Sequence, residues 1–141
     1  MQEKHLFEYA VIRIVPQVER EEFLNVGVIL FSKQAKFLQT LFEVNEERLR
    51  AFCSNIDIAE IRRHLLAFER ISNGAKDGGP MAALDMPSRF RWLTATRSTI
   101  IQTSKVHPGF CANLPATLQN LHAQLVLTRQ GQKVDETGTA Q

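Results

Sequence analysis

Two apolar, β-branched runs on either side of a short charged segment constrain the fold more than any other feature of this chain. FEYAVIRIV (residues 7–15) stops at Pro16, and FLNVGVILF (residues 23–31) follows the connector QVEREE. Runs of this length, bounded by proline and charge, read as strands with most of both faces covered. A period of two puts Tyr9, Val11, Arg13 and Val15 on one face, and Ala10, Ile12 and Ile14 on the other. Asn25 and Gly27 interrupt the second run and, on the same count, share a face. KFLQTLFE (residues 36–43) follows a short SKQA turn and alternates well enough for a third strand. Connectors this short favour an antiparallel meander over parallel crossovers.

The pattern then changes to a helical period. Asn45 stands where it can cap NEERLRAFC, and Glu46 and Glu47 fall where the helix dipole favours acid. Asp57 and Glu60 have capping-box spacing at the start of DIAEIRRHLLAFERIS. Ile58, Ile61, Leu65 and Phe68 form one apolar stripe along it. NGAKDGGPMAA (residues 73–83) reads as a loop. Pro87 and Ser88 can start a short helix that carries Phe90 and Leu93 inward. RSTIIQTS (residues 97–104) has strand propensity, with Arg97, Thr99, Ile101 and Thr103 on one face, and HPG breaks it. Asn113 precedes a last helix with Leu114, Leu118, Leu121 and Leu125 as its stripe.

This order predicts an α+β domain: a small antiparallel sheet of three to four strands packed with about three helices. The domain is expected over residues 1–128, with a polar tail over 129–141. A chain of 141 residues, 44% hydrophobic and 23% charged, can bury a core without metal or disulfide staples. No apolar run approaches the roughly 20 residues that cross a bilayer. The segment MQEKHLFEYA lacks the apolar region of a signal peptide, so a cytoplasmic protein is expected. Cys53 and Cys111 are far apart and outside any CxxC, which favours buried reduced thiols.

Net charge is +2, but its distribution is uneven. Residues 1–74 carry 10 basic and 11 acidic side chains. Between Asp85 and Asp135 no acidic residue occurs, while Arg89, Arg91, Arg97, Lys105, Arg129 and Lys133 do. That asymmetry predicts a local positive potential. Phosphate-binding glycine loops, a GxSxG elbow and HExxH are absent from the sequence. His5, His64, His107 and His122 stand in separate elements, so no metal site is expected, and no cofactor. Paired carboxylates occur only in surface-like runs. The sequence therefore favours binding over catalysis.

Candidate site residues follow from misplaced polarity. Arg13 sits in the middle of an apolar strand. Either its stem packs and its head reaches solvent, or the guanidinium is held in a cleft for a carboxylate or phosphate. Glu19, Glu22 or a ligand would then complete it. Asn25 and Gly27 mark either a β-bulge with close backbone packing or a polar anchor beside a cleft. Arg89, Arg91 and Arg97, with Ser98, Thr99, Gln102 and Thr103, can converge on an anion. Alternatively they form a corner in which arginines bond loop carbonyls above a packed Trp92. Trp92 is expected in the core rather than as a stacking platform. His107 stands in the HPG turn with no nucleophile within local reach, and a Ser–His pair with Ser98 or Ser104 would need contacts from far along the chain.

The segments YAVIRIVPQVEREEFLNVGVILF and FRWLTATRSTIIQTSKVHPG together resemble a bacterial family called domain of unknown function 3037. The resemblance runs from Tyr9 to about Leu127, and its signature couples the asparagine–glycine strand (Asn25 to Val28) to the FRWLTA, RST and HPG elements. Where the family often has proline before the RS pair, this chain has Thr96. The resemblance implies no agreed activity. It does imply genomic company, since such proteins are often encoded beside a HipA-like serine/threonine kinase.

The resulting expectation is a small non-catalytic binding module. Arg13, Asn25, Arg89, Arg91 and Arg97, with Ser98, Thr99, Gln102 and His107, would serve a basic polar cleft for an anionic group. A protein partner, the HipA-like kinase first, is expected. The alternatives are a phosphate-handling or nucleic-acid-processing enzyme and a nucleic-acid-binding protein. The modest net charge and single tryptophan count against the last.

Overall fold

The computed structural model describes residues 3–97 and 99–127. Among them, five strands form one antiparallel sheet: β1 (His5–Ile14), β2 (Leu24–Ser32), β3 (Phe37–Phe42), β4 (Ile101–Thr103) and β5 (His107–Cys111). The order is β3-β2-β1-β4, and β5 pairs with β1 beyond the end of β4. Four α-helices accompany it: α1 (Glu46–Phe52), α2 (Ile58–Asn73), α3 (Met86–Leu93) and α4 (Leu114–Leu125). The α+β class holds, with one strand and one helix more than expected. No helix among the described residues is long and apolar enough to cross a membrane. The expected polar tail, 129–141, lies outside the described residues.

β1 is central because both its faces are apolar. Ala10, Ile12 and Ile14 point to one side, where they meet Leu49 of α1, Ile61, Leu65 and Phe68 of α2, and Phe90 and Leu93 of α3. Phe7 and Tyr9 point to the other, where Val28 and Leu30 meet Leu114 and Leu118 of α4. The sheet is thus covered on both faces. Ile61 and Leu65 have no exposed surface, and each such burial contributes about 1.5–3 kcal/mol. The caps are local and legible. Asn45, Asp57 and Asn113 each accept a backbone N–H from three residues on, from Arg48, Glu60 and Ala116. Asp85 does the same for α3 through Ser88.

Three expectations change. HPG does not end the edge but opens β5, with Tyr9 opposite His107 and Phe7 opposite Gly109. An edge strand has a side with no partner, so a proline there need not cost a ladder bond. Of RSTIIQTS only Ile101–Thr103 is strand. Thr99 Oγ1 donates to the Ile101 carbonyl at 2.7 Å and Gln102 Nε2 to the Thr99 carbonyl at 2.9 Å, which turns the chain before the strand begins. Finally, Asn25 and Gly27 do not share a face. Ile12 opposes Gly27 but Arg13 opposes Asn25, so Val26 is an extra residue and the bulge resets the alternation. Gly27 is needed there: a Cβ would stand 2.7 Å from the Leu41 carbonyl oxygen.

Candidate functional site

A groove of about 370 Å³ runs between α2 and the chain from Trp92 to Thr103. α2 forms one wall. Its buried stripe faces the sheet, and a second stripe one step around the helix, His64, Ala67 and Ile71, faces the groove. The opposite wall is Trp92, Arg97 and Thr99, continuing into β4, and Phe68, Leu93 and Ile101 make the surface between them apolar.

Arg97 is placed by the end of α3. The helix stops at Thr94, whose Oγ1 and N–H both donate to the Phe90 carbonyl. Arg97 Nη2 then donates to the Trp92 carbonyl, supplying a cation to the helix C-terminus. Its guanidinium lies over the Trp92 ring, 3.8 Å from the ring centroid. Burial lowers the pKa of Arg97 below the usual arginine value. Among the described residues no carboxylate pairs with it. Trp92 corrects the expectation of a core residue: it is 37% exposed. In a helix this short the inward positions are Phe90 and Leu93, so Trp92 lies to the side and carries the arginine.

The other candidates are dispersed. Arg89 bonds the Leu84 carbonyl at 2.7 Å and packs against Gly74, which ends α2 in a left-handed conformation (φ 65°). Arg91 is exposed. Hydrogen bonds from Ser88 chiefly lower the pKa of Asp85, with weaker help from Arg91 and Arg89. Thr99 and Gln102 line the groove but bond each other's neighbourhood, as above. Ser98 lies outside the described residues.

Arg13 and Asn25 belong to the opposite face. Arg13 stacks on Phe23 with its Cζ 3.8 Å from the ring centroid, and burial lowers its pKa. Glu22, one partner expected for it, instead pairs with Arg20 at 2.7 Å. Asn25 Nδ2 donates to the Leu125 carbonyl at the end of α4 at 3.1 Å. His107 also points to the α4 side, its ring 5.2 Å from that of Tyr9. The structure therefore brings Arg97 and Thr99 together in the groove and separates them from Asn25 and His107, while Gln102, which also lines the groove, is the cross-strand partner of Arg13.

Two features went unread in the sequence. His64 stands outside the core stripe of α2, a spacing that marks it for the second face. His122 is 6% exposed, four residues after the buried Leu118, so it continues the buried stripe of α4. Beside it, Arg48 Nη1 bonds the Val126 carbonyl at 2.9 Å, sharing the end of α4 with Asn25. Among the described residues no group of three or more His, Cys, Asp or Glu side chains is arranged to hold a metal ion. Cys53 and Cys111 are unbridged and half-buried.

No curated protein and no solved structure matches the chain. A family pattern does match, over residues 9–126, a span that takes in the groove, both faces of the sheet and every described helix. The chain belongs to the family described as Protein of unknown function (DUF3037).

Proposed function

We propose that this protein is a non-catalytic binding module whose α2–β4 groove captures an acidic group attached to apolar neighbours. One observation carries the reading: the Arg97 guanidinium is fixed over Trp92 beside an apolar groove, without a carboxylate partner among the described residues. A guanidinium so held has a planar set of donors for a carboxylate or phosphate. The acid-free sequence between Asp85 and Asp135 adds a positive potential around it. Groove size is that of ligand sites generally, about 300–1,000 Å³. Catalysis is the weaker reading because the described lining holds one histidine, His64, and no carboxylate, cysteine or serine.

A protein supplies an acid next to apolar side chains most readily, and the HipA-like kinase suggested by the family resemblance is the candidate partner. Trp92 is the only tryptophan in the chain, so its fluorescence reports on the groove directly. Titration with N-acetyl-phenylalanine carboxylate should change that emission saturably, and salt should weaken the effect. Arg97→Ala should abolish it, whereas Arg13→Ala, on the other face, should leave it intact. Equal responses in the two variants would remove the groove as the site. Coexpression with the kinase should give one gel-filtration peak; two separate peaks would end the partner assignment.

A further inference from the structure

We propose that the groove takes its partner as a strand: an extended acidic peptide adds to the free edge of β4, lays apolar side chains against α2 and offers a carboxylate to Arg97. The inference rests on the binding reading above and adds the form of the ligand.

The backbone supplies the first argument. Among the described residues β4 is the last strand in its row, with β1 on one side and no strand on the other. Val15 N–H donates to the Ile100 carbonyl and Ser104 N–H to the Val11 carbonyl, so positions 100 and 104 face β1. Antiparallel alternation turns position 102 inward as well, and leaves Ile101 and Thr103 facing outward. The Ile101 carbonyl is occupied by Thr99 Oγ1. Among the described residues that leaves two N–H donors, of Ile101 and Thr103, and one acceptor, the Thr103 carbonyl, along the groove wall.

These groups limit what can fill the groove. An apolar or helical occupant would strip them of water without replacing the lost hydrogen bonds. An extended chain replaces them and sends alternate side chains into the groove. Ile101 and Thr103 oppose Ile14 and Ile12, so their own side chains already point to the α2 side. A guest strand beside β4 would point every second residue the same way, toward Ala67 and Ile71. Arg97, with no acid near it in sequence, sets the required charge.

The probe is a pool of N-acetylated, C-amidated pentapeptides with a central glutamate and valine, leucine, isoleucine or phenylalanine at the flanks, read by Trp92 fluorescence. Methylating the backbone nitrogens at positions 2 and 4, or at positions 1, 3 and 5, blocks one edge of the guest strand at a time. One series should bind at least tenfold more weakly and the other should stay within about twofold of the parent pool. Two equal series would overturn strand addition and leave the anion-binding reading standing. No binding by the parent pool would overturn both.

A variant makes the same test from the protein side. Thr103→Pro removes an outward N–H without removing a β1 ladder bond, whereas Thr103→Ala trims the hydroxyl, which donates to the Thr94 carbonyl, and the methyl, and keeps the N–H. The proline variant should lose tenfold or more in affinity for the pool and the alanine variant less than about threefold. Equal losses would count against the strand. If Thr103→Pro fails to fold, the methylated pools decide.

Discussion

Ser104 satisfies Val11 twice: its N–H donates to the Val11 carbonyl at 2.8 Å, and its Oγ accepts the Val11 N–H at 2.9 Å. The second bond exists because the edge is bulged. Between the pairs Ile12–Thr103 and Tyr9–His107, Ala10 and Val11 oppose the longer segment Ser104, Lys105 and Val106. The backbone of that segment is displaced, and the hydroxyl takes the place of a carbonyl while itself donating to the Lys105 carbonyl at 2.8 Å. Ser104 thereby joins β4 and β5 into one edge.

Ser104→Ala should therefore destabilise the fold by about 1–3 kcal/mol, because a buried N–H loses its acceptor. Urea unfolding should show a lower midpoint with an unchanged slope. Exchange of the Val11 amide should accelerate beyond the global change.

Phe7 and Gly109 form the opposite kind of contact, one of shape. A Cβ on Gly109 would stand 2.4 Å from Phe7 Cζ, whereas one on Gly27 would meet the Leu41 carbonyl oxygen and Phe42 Cβ. Both glycine-to-alanine changes should cost about 1–3 kcal/mol through overpacking. Adding Phe7→Leu should recover part of the loss at Gly109, since a side chain can give way. It should recover none at Gly27, where backbone obstructs. A double-mutant cycle on thermal midpoints separates the two cases.

His122 gives stability a pH dependence. Burial lowers its pKa below the ordinary value of 6.5, while the Glu43 carboxylate pulls weakly the other way. The unfolded chain then takes up the proton first. The stability due to neutral His122 is complete above about pH 6.5 and is lost as pH falls through that value toward the lower, folded pKa. The slope reaches at most about 1.4 kcal/mol per pH unit. His122→Leu should flatten urea midpoints between pH 7.5 and 5.5, and Glu43→Gln should steepen them.

What the sequence discloses is what neighbours along the chain decide. The caps Asn45, Asp57 and Asn113 and the stripe Ile58, Ile61, Leu65, Phe68 depend on spacing within one turn or one helix, and they stand as read. The two central strands are equally local. Placement of HPG depends on which edge of β1 is vacant, a matter of topology, so proline and glycine read as a break. The faces of Asn25 and Gly27 depend on one extra residue, Val26, which period-two counting cannot register. The arginines are harder still. Arg13 keeps strand alternation and faces the α4 side, whereas Arg97 leaves it to cap α3, so the arginines expected to serve one cleft stand on two faces in space.

Arg89 and Arg97 are just as unlike, although one stands in the first turns of α3 and the other a few residues past its end. Arg89 ties α3 to the end of α2 through the Leu84 carbonyl and Gly74, and its Nε is buried without a partner among the described residues. Arg97 rests on the partly exposed Trp92. Arg89→Ala should cost about 1–2 kcal/mol, as a charged hydrogen bond with some solvent access does. Arg97→Ala should cost about 0.5–1 kcal/mol, the range of an exposed cation–π contact, and shift Trp92 emission to the red. Binding in the groove should follow the reverse order, lost in Arg97→Ala and kept in Arg89→Ala. If both variants lost stability and binding in the same proportion, the groove would be responding to the integrity of the corner rather than to the guanidinium within it.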